Sequence, residues 1–369
     1  MRVLHVNSGN LYGGVETMLR ALVTHRRAAP AMEPRFALSF DGRIAHELIE
    51  AGAQVDLLGP VRFSRPWTAW RARRRLAALL AADRPDAVIC HSDWAQAIAG
   101  PAVQRARVPL VRWFHGPPAG THWLERLAAW SRPAFAICNS DFTARALAAR
   151  DPGIPRATIH PPASPPLLPA DARARARDAL GIHPDTVVIL QVGRIEPGKG
   201  HAVLFQALAR LMDRPDWITL EAGGAQRDAE LRYLGALSLA AGKLGIAGRV
   251  RFLGERTDMG ALYAAADIYC QPNTRPDSYG LTFIEALYAG LPVVTAGIGG
   301  AMEIVDATCG VLVPPSDPTA LADALRHLLG DAAARRTLGN AGPARARMLS
   351  DPSARVADLA AQLAAWLRG

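Results

Sequence analysis

The chain has 369 residues, half of them apolar, and a formal net charge of +9 from 42 basic against 33 acidic side chains. That length suits two domains better than a single core, and that composition excludes a disordered or collagen-like chain. The longest apolar stretch, 281–305, is interrupted by Glu285, Pro292 and several glycines, which argues against a membrane-spanning helix. Cys90, Cys138, Cys270 and Cys309 form no CxxC pair, and three of them close short apolar runs. They read as reduced, buried thiols of a cytosolic protein.

In chain order, "MRVLHVNSGN" reads as a first strand and not as the charged-then-apolar layout of an export signal. The next segment, "NSGNLYGGVETMLRAL", places Gly13 and Gly14 where a helix begins. Their N–H groups suit an anion, although an ordinary glycine turn fits the loop equally well. Glu16, one turn in, has the sign that favours a helix start. The dinucleotide fingerprint GxGxxG is absent, and no acidic residue closes "RFALSF" except Asp41 just beyond it, so a nicotinamide enzyme is disfavoured.

The strands "RFALSF", "QVDLL", "DAVIC", "PLVRWF" and "AFAIC" continue the first half, with His91 after "DAVIC" and His115 after "PLVRWF". Between them, "VRFSRPWTAWRARRR" (61–75) interleaves Arg62, Arg65, Arg71, Arg73, Arg74 and Arg75 with Phe63, Trp67 and Trp70. Two readings stand: an anionic membrane surface, or a solvated helix whose tryptophans face the core. The proline-rich "HPPASPPLLPA" (160–170) forbids regular structure and is the expected linker. Residues 1–165 hold 21 arginines against 12 acids, a net +9, whereas residues 166–369 hold 21 of each sign. The whole excess in the first half calls for an anionic partner there.

The second half repeats strand, glycines, helix in "VVILQVGRIEPGKGHAVLFQALARL", followed by "WITLEA", "RVRFL", "DIYC", "PVVTA" and "GVLV". Gly193 and Arg194 follow its strand directly, and Gly198-Lys199-Gly200 stands at the helix entry. Lys199 is one of two lysines beside 40 arginines. A guanidinium gripping two oxygens and a compact ammonium suit a diphosphate, although two solvated surface charges would look the same. The Walker spacing GxxxxGK[ST] is absent.

"PDSYGLTFIEALYAGLPVV" puts Asp277 before a helix expected to start near Gly280, with Glu285 eight residues on and roughly 12 Å or less away. The N–H groups of Ser278, Tyr279, Gly280 and Leu281 would point at a ligand lying between them. The strand–helix alternation predicts an α/β chain with two parallel sheets. The carboxyl ends of both sheets are expected to face a cleft. "SDPSARVADLAAQLAAWLRG" reads as a final helix.

In order, "YGGVE", "HSDWA", "FHG", "VGRIEPGKG", the D/E-x7-E element with "AGLPVV", "GGAMEIV" and "GVLVPPSDP" resemble the family 4 glycosyltransferases of the GT-B fold. The resemblance implies two Rossmann-like domains facing a central cleft: 1–165 for the acceptor, 166–350 for the nucleotide-sugar donor, and a helix at 351–369 returning to the first. It implies retaining transfer of a sugar from a nucleotide-diphosphate donor to a glycan, lipid-linked or small-molecule acceptor by a front-side route, without a cofactor. Arg194 and Lys199 would hold the diphosphate, Asp277 the sugar and Glu285 the ribose. Gly14 would lie near the phosphates and His115 near the transferred sugar. The family usually has glutamate then Pro-Phe where this chain has Asp277, Ser278 and Tyr279. No Asp-x-Asp offers a carboxylate pair to a metal, so metal-independent turnover is expected. An epimerase or phosphorylase of the same fold, or a nucleic-acid-binding protein using the basic half, are the alternatives; no nucleic-acid motif supports the last. A cytoplasmic protein, peripheral on the inner face of the cell membrane, is expected.

Overall fold

The computed structural model describes residues 1–10, 13–214 and 216–369; Tyr12 of "YGGVE" lies outside them. Two compact units emerge, Met1–Ser164 with Ser350–Gly369, and Pro165–Leu349.

The first unit is built on β1 (Arg2–Asn7), β2 (Glu33–Leu38), β3 (Val55–Leu57), β4 (Ala87–Cys90), β5 (Leu110–Phe114), β6 (Phe135–Cys138) and β7 (Arg156–Thr158). All pairings are parallel, in the order β3-β2-β1-β4-β5-β6-β7. A parallel sheet needs helices on both faces, so its strands are apolar on both sides. Val3 accordingly joins Phe36, Ile89 and Trp113 in one core, while Leu4 and Val6 join Val88 and Ile98 in the other. Each such side chain taken from water contributes about 1.5–3 kcal/mol.

The terminal helix Pro352–Arg368 adds Val356, Leu359 and Leu363 to the Val3 core, which fixes where the chain end packs. Its start follows the sequence signal: Asp351 accepts the N–H of Ala354 at 2.8 Å, and Pro352 opens the first turn. β7 is absent from the sequence reading because Arg156–Thr158 is three residues long, half-buried and without an apolar run. In the helix Pro66–Ala82, Trp67 and Trp70 are 58% and 60% exposed, so the reading that turned them into the core is excluded.

The second unit has β8 (Val187–Val192), β9 (Trp217–Ala222), β10 (Val250–Gly254), β11 (Ile268–Gln271), β12 (Val293–Ala296) and β13 (Gly310–Val313), all parallel, ordered β10-β9-β8-β11-β12-β13. In each sheet the strand order reverses once, beside β1 and β4 and beside β8 and β11. Loops leaving neighbouring strands there diverge to opposite faces and leave a crevice at the carboxyl ends. All four cysteines are free and buried. No helix among the described residues is long and apolar enough to cross a membrane.

Candidate functional site

In the second unit the two sequence motifs leave the two strands at the order reversal. After β8 come Gly193 and Arg194, then the turn Pro197–Lys199 and the helix His201–Ala209. After β11 come Asn273 and Asp277, then the helix Leu281–Tyr288 with Gly280 at its N-cap. The loops meet: Lys199 Nζ lies 2.6 Å from Asp277 Oδ2. The Lys199 side chain is 19% exposed, so the picture of a solvated surface charge does not apply to it.

The backbone explains this placement. Gly200 has φ +78°, a left-handed conformation that glycine reaches without steric cost, and a Cβ there would run into the Pro272 carbonyl. The loop therefore turns hard against the start of the acidic loop. Gln191 Nε2 donates to the Lys199 carbonyl at 2.8 Å, and Thr274 Oγ1 donates to the Pro197 carbonyl at 3.0 Å.

A polar chain absent from the sequence reading holds Asp277 from behind. Tyr269 OH donates to Gln271 Oε1 (3.0 Å), Gln271 Nε2 to Asn273 Oδ1 (2.9 Å), and Asn273 Nδ2 to Asp277 Oδ2 (3.3 Å). The available signal was "YCQPN", polar residues at the end of β11 and just past it, at the strand-order reversal. Gly299 and Gly300 close the other side, since a Cβ on Gly299 would stand 2.5 Å from the Asp277 carbonyl.

Arg194 is more open, 3.2 Å from Glu196 and 3.5 Å from Glu230. Glu285 is half-buried and accepts from Tyr263 OH at 2.7 Å. Burial pushes its carboxyl above the ordinary value and the tyrosine hydroxyl draws it back. Tyr279 is 2% exposed, so its ring is core and only its backbone can face a ligand. Ser278 and Leu281 flank the Gly280 cap, where φ is +115°.

In the first unit, Gly13 caps the helix Gly14–Thr24, and among the described residues a Cβ on it would meet only Glu16 Oε2, at 3.9 Å. Glu16 is buried and accepts from Asn7 Nδ2 at 2.9 Å, so it ties the helix start to the end of β1 beyond its charge effect. His91 and His115 directly follow β4 and β5, and their rings are linked (Nδ1 to Nε2, 3.1 Å). His5, within β1, continues that line and was missed because an interior strand histidine looks like core. Among the described residues, no group of three or more His, Cys, Asp or Glu could hold a metal ion.

Residues 12–163 match the family model described as glycosyltransferase family 4, and residues 172–345 that described as glycosyl transferases group 1. The D-inositol 3-phosphate glycosyltransferase of Salinispora tropica is 39% identical over 189 residues, 49% of this chain and 39% of that protein. Its counterpart in Corynebacterium diphtheriae is 38% identical over 179 residues, covering 45% and 39%. The matched stretch thus spans 39% of the length of each of these two relatives. Among solved structures, Anabaena HepE with UDP and glucose superposes with a TM-score of 0.85 at 24% identity over 99% of both chains. A glycosyltransferase of Rickettsia africae gives 0.84 at 18% identity over 98% of both.

Proposed function

The chain belongs to the family 4 glycosyltransferases, and from that premise we propose that it transfers a sugar from a nucleotide-diphosphate donor to an acceptor hydroxyl with retained anomeric configuration. The observation that carries this reading is the Lys199–Asp277 contact of 2.6 Å, which joins the cation loop and the acidic loop at the order reversal of the second sheet.

In this reading the donor diphosphate takes Lys199 from Asp277 and Arg194 from its two carboxylates. The released Asp277 accepts hydrogen bonds from sugar hydroxyls, with its Asn273 support in place. Gly193 and the backbone of Ser278, Tyr279, Gly280 and Leu281 give close approach, and Glu285 accepts from the ribose.

As the anomeric bond breaks, negative charge grows on the diphosphate and positive charge on the ring. Fixed cations beside the leaving group lower that barrier, each such contact by about 2.7–4 kcal/mol. The departing phosphate oxygen takes the acceptor's proton on the same face while the new C–O bond forms, so the step calls for no protein base, cofactor or metal. Turnover surviving EDTA is the expected result; loss restored by Mg²⁺ overturns this part.

The acceptor is proposed to bind the first unit, whose excess of positive charge favours an anionic one. A phosphorylated polyol, the kind of acceptor named in the curated relatives, is the first to try. A lipid-linked acceptor at an anionic inner membrane face is the extension of this reading. It is supported by exposed Trp67 and Trp70, by Arg74 lying 5.6 Å over the Trp70 ring, and by a groove of about 720 Å³ lined by Arg73, Arg74, Arg84 and Arg105.

A thermal-shift panel of UDP, GDP and ADP tests the central claim. Selective stabilisation by one of them is expected, and a flat response to all three overturns it.

A further inference from the structure

Three imidazoles stand in line across the first sheet. β1, β4 and β5 are neighbours, so His5 in β1 and the residues just beyond β4 and β5, His91 and His115, come side by side. His5 Nδ1 lies 2.9 Å from His91 Nε2, and His91 Nδ1 lies 3.1 Å from His115 Nε2. Successive rings are within 20° of parallel, with Phe36 stacked on His5 at the inner end and Trp113 beside His91 and His115. His5 and His91 are buried; His115 is half-buried and forms the outer end.

Burial keeps the three rings neutral, with His5 and His115 brought down to about 3 and His91 well below its usual range. The Arg112 guanidinium acts in the same direction on His91 and His115, and is itself paired with Asp93 at 3.1 Å. A neutral imidazole has one N–H and one lone pair, and each contact in the line uses one of each.

Only two proton patterns satisfy both contacts. Either all three rings carry the proton on Nδ1 and donate outward, or all three carry it on Nε2 and donate inward. In both, His5 Nε2 is buried without a partner among the described residues. In the outward pattern that atom is a bare lone pair; in the inward pattern it is a buried N–H with no acceptor, which folded proteins tolerate less.

We infer that His5 and His91 are positioning residues that hold His115 as its neutral Nδ1–H tautomer. His115 then donates a hydrogen bond to an oxygen of a bound sugar or acceptor and, its lone pair already engaged by His91, takes no proton. The identity of that oxygen rests on the transferase reading. The tautomer does not.

Long-range ¹H–¹⁵N correlation spectra of the full-length, ¹⁵N-histidine-labelled protein without ligand test the inference directly. Expected are protonated Nδ1 and bare Nε2 on His5, His91 and His115, unchanged between pH 5.5 and 8. An Nε2–H signal on His115, or an imidazolium forming in that range, overturns it. His5→Phe keeps the ring and its stacking but removes the first donor; it should let the Nε2–H form of His115 appear and lower kcat about tenfold or less. A His115 tautomer unmoved by His5→Phe removes His5 from the role. His91→Leu breaks the line, whereas the amide of His91→Gln can accept from His5 and donate to His115. The Gln variant should therefore restore the His115 Nδ1–H signal and recover most of the activity that the Leu variant loses; equal behaviour of the two overturns the inference. If sugar transfer itself fails, the spectra still decide the tautomer.

Discussion

Arginine at position 199 would keep the charge that Lys199 supplies and change its shape. The Lys199 stem runs 3.7 Å from where a Cβ on Gly193 would stand, and its ammonium reaches one Asp277 oxygen at 2.6 Å. A planar fork in that space displaces the loop or misses the phosphate oxygen. Lys199→Arg should therefore lose most turnover, about tenfold or more in kcat, and Lys199→Ala about 10²–10³-fold. An Arg variant with normal kcat would show that charge alone matters there. Asp277→Glu and Asp277→Ala complete the test, since unchanged donor turnover in both removes Asp277 from the sugar contact. The pairing itself was not legible. Residues 199 and 277 are 78 apart, and nothing in either motif says that the free cation leans on the acid. Glu285 carries a second residue-scale prediction. Its folded carboxyl is raised above the ordinary 4.5, so the folded state binds the proton more readily than the unfolded one. Its contribution to stability is thus full below the unfolded value and is lost as pH rises through the folded one. The proposed ribose contact has the opposite sign, because ribose hydroxyls donating to Glu285 need its ionised form. Tyr263→Phe removes the hydroxyl that holds Glu285 down, so the acid limb of nucleotide affinity against pH should move to higher pH. A limb that stays in place separates Glu285 from the ribose.

At the scale of elements, the strands were legible because parallel strands buried on both faces must be short and continuously apolar. β8 to β13 each fall on a run read from the sequence, and in the first unit only β7, with no such run, escaped. The loops were legible as motifs and opaque as shapes, because their geometry comes from close approaches between segments far apart in sequence. Gly200 is the clearest case. Its positive φ and the Pro272 carbonyl facing its missing Cβ set the cation loop against the acidic loop. Gly200→Ala should cost about 1–3 kcal/mol in denaturant unfolding and lower turnover with it. Gly235, in the helix Asp228–Lys243, has no described residue outside its own helix within 4 Å of the corresponding position. Gly235→Ala should stabilise by about 0.5–1 kcal/mol and leave turnover alone, so an equal loss in both variants would refute the strained-loop argument.

For the molecule as a whole, the two units differ in charge, and the difference was readable by counting. The terminal segment 350–369 adds Arg355 and Arg368 against Asp351 and Asp358, so the first unit keeps the full excess of nine while the second is balanced. Counting does not say where the charge stands or what accompanies it. The fold answers in part, because Trp67 and Trp70 lie on the solvent side of the helix Pro66–Ala82, with Leu76 and Leu80 of the same helix turned into the core. Indole rings that insert at the headgroup level and arginines that pair with anionic lipid act additively, each basic residue near such a surface contributing about 1 kcal/mol. Two consequences separate this from plain charge attraction. Binding to vesicles containing anionic lipid should fall steeply with salt, and a residue of binding that survives salt should vanish in Trp67→Ala/Trp70→Ala. Neither substitution touches the loops proposed to hold the nucleotide, so stabilisation by a nucleoside diphosphate should be unchanged in the same protein. Sedimentation with vesicles that is indifferent to lipid charge, or to loss of both indoles, leaves the basic excess to a soluble anionic acceptor instead.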